Sequence, residues 1–314
     1  MHQSEFDNLR DYRHHCAMNA QNESLATLAS PPGIASADFI AGMAKGMAVL
    51  ESFDTERQRL NATLAAQRAG ITRAAARRHL LTLAHLGYLE TDGSYYWLSA
   101  KVLRFSGSYL ASARLPRVLQ PTLNRLAAQT GESFSAVVLD AEQVVIVARS
   151  GNGRSRTDRK GGQKIGEVYY ENNSVSGNKY DGILAYGLHL GARLPAYATS
   201  TGRVLLAALS EREFAAWLAQ RSLNRLYRLT SHTCTDLTEL QAIIAQTRKQ
   251  DFAVAHEEHE LGVHALAVPL RNMQGKTVAA LNVVTTLERL QPQSYQSDLL
   301  PLLQDAAREL RAVI

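Results

Sequence analysis

The chain of 314 residues is about twice the size of a typical domain, which favours two domains over one small module. Hydrophobic residues at 46% and charged ones at 20% exclude a mainly disordered, collagenous or fibrous chain, and no apolar run reaches the roughly 18 residues of a membrane span. The net charge of +5 is unevenly placed: residues 39–110 hold nine basic against five acidic groups, and residues 149–164 hold six against one.

Met1 to Arg13 is polar and holds no apolar stretch that could serve as a secretory signal, so cytoplasm is the default compartment. Cys16 and Cys234 are far apart, which excludes a disulfide framework and a thiolate metal site made by this chain alone. Residues 1–38 lack an amphipathic period and end in Ser30-Pro31-Pro32-Gly33, the composition of a tail and linker. His14, His15 and Cys16 are metal-ligating types, but a solvated tail accounts for them.

Met43, Met47, Val49, Leu50 and Phe53 recur at helical spacing and predict a first helix over 43–53. Leu60, Leu64 and Ala65 stripe a short second helix opened by the N-cap Asn61 and closed near Gly70. Thr72 can cap a third, whose apolar side is Ala76, Leu80, Leu83 and Leu86. Two short helices joined by a tight turn make a helix-turn-helix. The other side of the third helix is Arg73, Ala74, Ala75, Arg77 and Arg78, and no acidic residue lies between Arg57 and Glu90. Small residues let a backbone come close, and arginines reach phosphates and guanine edges. Tyr88–Glu90 and Tyr95–Leu98 flank Asp92-Gly93, a hairpin signal that supplies a wing. A three-helix bundle with a solvated basic face has the same spacing; the sign of the charge and the hairpin behind it favour double-stranded DNA as the partner.

Ser99 to Gln129 reads as helix again, with Pro116 and Pro121 expected to end or kink it, and serves as a connector. Phe134–Leu139 and Val144–Ala148 are β-rich runs around Asp140–Gln143. Helices follow at Ser200–Leu209, Glu211–Gln220 and Leu237–Gln250, strands at Ala265–Leu270 and Thr277–Thr285, and a last helix at Ser294–Val313. The class is α+β with one antiparallel sheet in the second domain. The expected division is a tail over 1–38, a winged helix-turn-helix over 39–100, a linker helix over 101–130 and a second domain over 131–314.

No nucleophile elbow, phosphate-binding loop or dinucleotide fingerprint occurs, and no cofactor is expected. In His256-Glu257-Glu258-His259 the histidines are three apart rather than the four of H-E-x-x-H. Together with His264 they leave a metal-dependent hydrolytic enzyme as an alternative; a binding module without a transcriptional role is another. From Gly191 to Arg203 the chain places Arg193, Tyr197, Thr199, Ser200 and Thr201 ahead of a helix whose free backbone donors favour an anion. A carboxylate fits such donors, with an aromatic body in an apolar remainder. The bland counterpart is that Thr199–Thr201 only cap the helix and Arg193 pairs with a structural acid.

The run Ala44-Lys45-Gly46-Met47-Ala48-Val49-Leu50, the helix-turn-helix Leu60 to Leu83, Leu86-Gly87-Tyr88-Leu89 and the segments around Gly202 and His256 to Pro269 resemble IclR-type transcriptional regulators over about 39–314. Thr72 to Arg78 and Arg193 to Tyr197 look like the branch that controls catabolism of protocatechuate and 4-hydroxybenzoate. The resemblance implies a winged helix-turn-helix, a linker helix and a GAF-like effector domain, assembled as homodimers or homotetramers on operator DNA, with RNA polymerase as a further partner and no membrane. Its recognition helix maps onto Thr72 to His85, and its effector pocket onto Thr199, Ser200, Thr201, His256, Ala265 and Asn282. Arg193 and Tyr197 join that set on chemical grounds, because an aromatic acid needs a cation and a stacking or hydroxyl partner. The pattern Glu258-His259-Glu260-Leu261-Gly262 is read as a glycine turn before the core strand. A departure from the family is the long segment over about 150–182, basic at first and then rich in Tyr, Asn, Ser and Gly. It is open to reading as a solvated loop, a hairpin beside the pocket, or a contact to DNA or a partner subunit.

Overall fold

The computed structural model describes residues 37–54, 57–150, 189–223, 226–285 and 295–314, together with Ala35, Leu287, Leu290 and Gln291. The tail and most of the basic segment therefore lie outside the described residues. The chain divides into two compact units, Met1–Ser112 and Ala113–Ile314.

The first unit holds helices α1 (Ala41–Glu51), α2 (Ala62–Ala69) and α3 (Arg73–His85), then strands β1 (Leu89–Thr91) and β2 (Tyr96–Leu98). Asn61 caps α2, its side-chain oxygen accepting from the Thr63 and Leu64 amides at 3.1 and 2.9 Å. Gly70 ends that helix at φ 59, the left-handed conformation that glycine adopts without strain, and Thr72 caps α3. Alanines 65, 69 and 76 are buried between the helices, so the backbones approach closely around Val49, Leu60 and Leu80. The hairpin is antiparallel, and Leu60 and Tyr96 exchange backbone hydrogen bonds at 2.9 and 2.8 Å, which joins the wing to the start of α2. Arg68 is buried: its Nε donates to the Ser52 carbonyl at 2.7 Å and its guanidinium pairs with Asp54.

The expected single connector is two helices, α4 (Leu103–Ser112) and α5 (Arg114–Thr130), broken at Ala113 rather than at a proline. Pro116 sits in the first turn of α5, where its missing N–H has no intrahelical partner to lose. Pro121 lies inside the helix, which continues because Leu119, Leu123, Leu126 and Ala127 are buried against the sheet. Helix α4 falls in the first unit and α5 in the core of the second.

The second unit is built on a six-stranded antiparallel sheet in the order β5-β4-β3-β8-β7-β6, with β3 Ser133–Asp140, β4 Gln143–Arg149, β5 Arg193–Pro195, β6 Ala253–His256, β7 His264–Arg271 and β8 Thr277–Thr285. The short strands β5 and β6 carry no alternating pattern of their own and were not anticipated. Around the sheet lie α5, α6 (Ser200–Ala207), α7 (Glu211–Leu223), α8 (Leu237–Gln250) and α9 (Leu300–Leu310), the last entered through a π turn at Tyr295–Leu299. Strand alternation divides the sheet into two apolar faces. Phe134, Ala136, Leu266, Val268, Leu270, Leu281 and Val283 form one core with α5 and α9. Ser135, Val137, Ala265, Asn282 and Val284 point to the other side, where α6 packs.

Helix α6 comes so close to the 3-10 turn Ala196–Ala198 that a Cβ on Gly202 would meet the Ala196 carbonyl oxygen at 2.0 Å. Both partners are backbone, so neither can yield without moving the element that carries it. Gly202→Ala is expected to destabilise the second unit by roughly 1–3 kcal/mol, as overpacking does, read as a lower thermal unfolding midpoint.

Candidate functional site

Helix α3 presents Thr72, Arg73, Ala74, Arg77 and Arg78 as exposed side chains, with Ala75 half-buried. Its buried positions, Ala76 and Leu80, face the core, so the cationic stripe necessarily faces outward. None of the three guanidinium groups has a partner among the described residues, whereas Arg59 and Arg68 are both ion-paired. Arg59 lies 4.7 Å over the Trp97 ring and pairs with Asp92 at the tip of the wing. His79, on the same helix, packs against Gly46 of α1, and burial holds its imidazole below the usual range, helped by Lys45 and Arg78.

The second unit contains a cavity of about 640 Å³, counting its open mouth, between α6 and the sheet. Its apolar wall is Val137, Ile146, Leu194, Ala265 and Val284. Polar groups converge at two places. At one, Ser135 Oγ donates to Asn282 Oδ1 at 2.6 Å, which leaves the Asn282 amide nitrogen free to donate. At the other, the α6 N-terminus brings Thr199, Ser200 and Thr201 to the lining. Thr199 Oγ1 is already used as the cap, accepting from the Gly202 amide at 3.1 Å. Ser200 Oγ is buried and has no hydrogen-bond partner. A buried hydroxyl left unpaired is costly, by about 1–3 kcal/mol, and such groups mark places where a ligand or water completes the bonding.

Behind this end of the cavity lies a buried ion pair. Arg203, one turn into α6, donates to Glu258 Oε2 at 2.5 Å and to the Val254 carbonyl at 3.1 Å. The Cys234 amide also reaches Glu258 Oε2, at 3.3 Å, and the Thr233 hydroxyl donates to the Glu258 carbonyl at 2.7 Å. Burial pushes the Glu258 carboxyl above its ordinary range, against the opposing pull of Arg203. Burial also pushes the Cys234 thiol up to about 11, so it is protonated and a poor nucleophile at neutral pH.

Of the eight residues expected in the pocket, Thr199, Ser200, Thr201, Ala265 and Asn282 line the cavity, and Arg193, Tyr197 and His256 do not. Arg193 is exposed on β5 and occupied by Asp140 at 2.5 Å and Gln143 at 2.7 Å; its neighbour Leu194 is the one that turns inward. Tyr197 is buried with its hydroxyl donating to the Tyr227 carbonyl at 2.9 Å. His256 ends β6 opposite His264, their Nδ1 atoms 3.2 Å apart, while the adjacent Ala255 faces the cavity. Burial, then His264 and Arg203, hold the His256 imidazole below its usual range. A shift of one position on a strand changes the face, and all three corrections follow from that or from a local turn. Ser135, Glu258, His259 and Glu260 line the cavity and are not among the residues expected in the effector pocket. Glu258 was visible as the acid of the Glu-x-x-x-Gly pattern, but its pairing with Arg203, 55 positions away, was not.

Sequence models of two domains match this chain: the IclR helix-turn-helix domain at residues 42–93, and the bacterial transcriptional regulator IclR C-terminal domain at residues 180–312. The Pca operon regulatory protein of Acinetobacter baylyi (strain ATCC 33305 / BD413 / ADP1) is 46% identical over 277 residues, covering 88% of this chain and 90% of the relative. The chain belongs to the IclR family of bacterial transcriptional regulators. The p-hydroxybenzoate hydroxylase transcriptional activator of the same organism is also 46% identical, over 95% of this chain and the whole of that protein. Among solved structures, a transcriptional regulator from Rhodococcus sp. RHA1 aligns with a TM-score of 0.62 at 36% identity, covering 87% of this chain and 97% of its own. The inducer-binding domain of an Acinetobacter PobR double mutant, in complex with 3-hydroxybenzoic acid, aligns with a TM-score of 0.50 at 42% identity over 64% of this chain and all of its own.

The protein is thus a DNA-binding regulator and not a hydrolytic enzyme. Among the described residues no three of His, Cys, Asp or Glu gather to hold a metal ion, and no helix is long and apolar enough to cross a membrane. The exposed cations of α3 are the candidate DNA contact, and simultaneous replacement of Arg73, Arg77 and Arg78 by alanine is expected to weaken binding to the DNA upstream of its own gene by about 100-fold or more in fluorescence anisotropy. Arg77→Ala alone should remove about 1–3 kcal/mol and relax base preference if it reads a base edge, or weaken all sequences alike if it holds a phosphate.

Proposed function

We propose that the regulator responds to a small aromatic carboxylate of the hydroxybenzoate type, such as 4-hydroxybenzoate or protocatechuate, bound in the cavity of the second unit. The observation that carries this reading is Ser200 Oγ, a buried and unpartnered hydroxyl at a helix N-terminus, opening on a chamber with an aliphatic wall of Val137, Ile146, Leu194, Ala265 and Val284. A carboxylate set there accepts from Ser200 Oγ and from the first free amides of α6, and the helix dipole favours its charge. The ring then lies among Val137, Ile146, Ala265 and Val284, and a ring hydroxyl meets the Ser135–Asn282 pair. The relatives named for the Pca operon and for p-hydroxybenzoate hydroxylase support the same class of ligand.

In this reading Thr72 to His85 is the recognition helix, presented twice to operator DNA by a homodimer or a larger homo-oligomer, and the aromatic acid changes operator occupancy or a contact to RNA polymerase. The first unit carries the DNA contacts and the second the effector. Coupling needs only that the acid bind two arrangements of the regulator with different affinity.

Calorimetry of the full chain with 4-hydroxybenzoate, protocatechuate, 3-hydroxybenzoate and short aliphatic acids tests the ligand class. At least one of the aromatic acids should bind and the aliphatic acids should not. Ser200→Ala should weaken the best ligand by about 10- to 100-fold, the loss of roughly 1.5–3 kcal/mol expected for a hydrogen bond to a charged group. Arg193→Ala should leave its Kd unchanged. Tighter binding of an aliphatic acid, or no effect of Ser200→Ala, overturns the reading.

A further inference from the structure

An aromatic carboxylate bound as proposed above enters a chamber of the wrong sign. Glu258 lines it, and among the described residues neither lysine nor arginine does. Among the described residues, the cation behind the wall at the α6 end is Arg203, and it is committed to Glu258. Arg203 is three residues after Ser200, so the two side chains lie on one face of α6 a single turn apart. A carboxylate at Ser200 and the carboxylate of Glu258 would therefore share one guanidinium among buried side chains. Like charges that close do not both stay ionised without a second cation. Arg203 also has a buried Nε without a hydrogen-bond partner, so its donors are not exhausted by the pair with Glu258.

We propose that Glu258 sets the charge this cavity accepts: it takes up one proton from solvent as the carboxylate of the ligand binds, leaving Arg203 to balance a single negative charge. The inference rests on the ligand class proposed above. It makes Glu258 a specificity-determining residue, because an anionic acid arrives with a proton whereas a neutral analogue of the same shape needs none. No bond other than O–H forms, and the proton is drawn from buffer.

The groups that face Glu258 agree with the assignment. Arg203 of α6 favours its ionised form, and Glu239 of α8 opposes it. From the loop before α8, the Cys234 amide donates to it and the Cys234 thiol stays protonated. Its own loop also carries Glu257, His259 and Glu260, and the adjoining ends of β6 and β7 carry His256 and His264. Burial already raises the Glu258 carboxyl, so a second negative charge beside it acts in the same direction. His259 and Glu260 also line the cavity and are of titratable type, and the experiment separates them from Glu258.

The test is calorimetry of the full chain at pH 7 with 4-hydroxybenzoate in phosphate and in Tris, whose ionisation enthalpies differ; the difference in heat counts protons. Close to one proton should be taken up per site, and Kd should rise by up to about tenfold per pH unit above neutrality, the slope for a single linked proton. Neutral 4-hydroxybenzamide should bind without uptake. Glu258→Gln should bind 4-hydroxybenzoate with no uptake and a Kd flat between pH 6 and 8; should that variant fail to fold, Glu258→Asp should retain uptake with a shifted pH profile. Binding of 4-hydroxybenzoate by the native chain with no proton uptake overturns this inference alone. Uptake that persists in Glu258→Gln moves the proton to another group and overturns it as well. Absence of binding by every hydroxybenzoate overturns the ligand class, and the inference with it.

Discussion

The cavity of the second unit depends on one close approach. Helix α6 can rest on the Ala196–Ala198 turn only because Gly202 lacks a side chain, and this contact sets the height of the α6 N-terminus above the sheet. From that position Thr199 caps the helix, Ser200 is left with a free buried hydroxyl, and Arg203 reaches across to Glu258. Raising α6 by the width of a methyl group would disturb all three together, since they lie on consecutive turns of one short helix.

The sheet beneath supplies the second requirement. Its strands are apolar on both sides, and one side is filled by α5 and α9 into a close-packed core around Phe134, Leu266 and Leu281. The other side receives the shorter α6, with Ser135 and Asn282 set among apolar neighbours. A hydrogen-bonded polar pair at the centre of an apolar sheet face is stable only because each satisfies the other. It also gives a binding chamber one orienting polar group at a distance from the helix terminus, the arrangement that small-molecule sites share. The first unit works by the opposite logic. Its functional groups are exposed, and what the fold contributes is the withdrawal of competing acids: Asp54 is bound by Arg68 and Asp92 by Arg59, leaving the arginines of α3 unopposed.

Local elements were legible wherever a residue type has a backbone preference of its own. Asn61, Gly70 and Thr72 marked both ends of the helix-turn-helix, Asp92-Gly93 marked the hairpin, and alternation marked β3, β4, β7 and β8. The helix over Arg114–Thr130 was misread as proline-broken, because Pro121 carries a penalty that burial of the leucine stripe outweighs. The short strands β5 and β6 escaped because their pairing partners, β4 and β7, are what make them strands. The same short strands decided the errors at the site: on β5 Leu194 turns inward and Arg193 outward, and on β6 Ala255 turns inward and His256 outward.

The sequence by itself determined that this chain has a cationic helix-turn-helix with a wing and an α+β second domain whose hydroxyl-rich helix start suits an anion, because caps, turns and charge sign are properties of neighbouring residues. Tertiary structure alone decided which of those groups meet. The pairing of Arg203 with Glu258, of Ser135 with Asn282 and of Arg193 with Asp140 joins residues 55, 147 and 53 positions apart, and such distances are closed by strand register and helix packing rather than by any local preference.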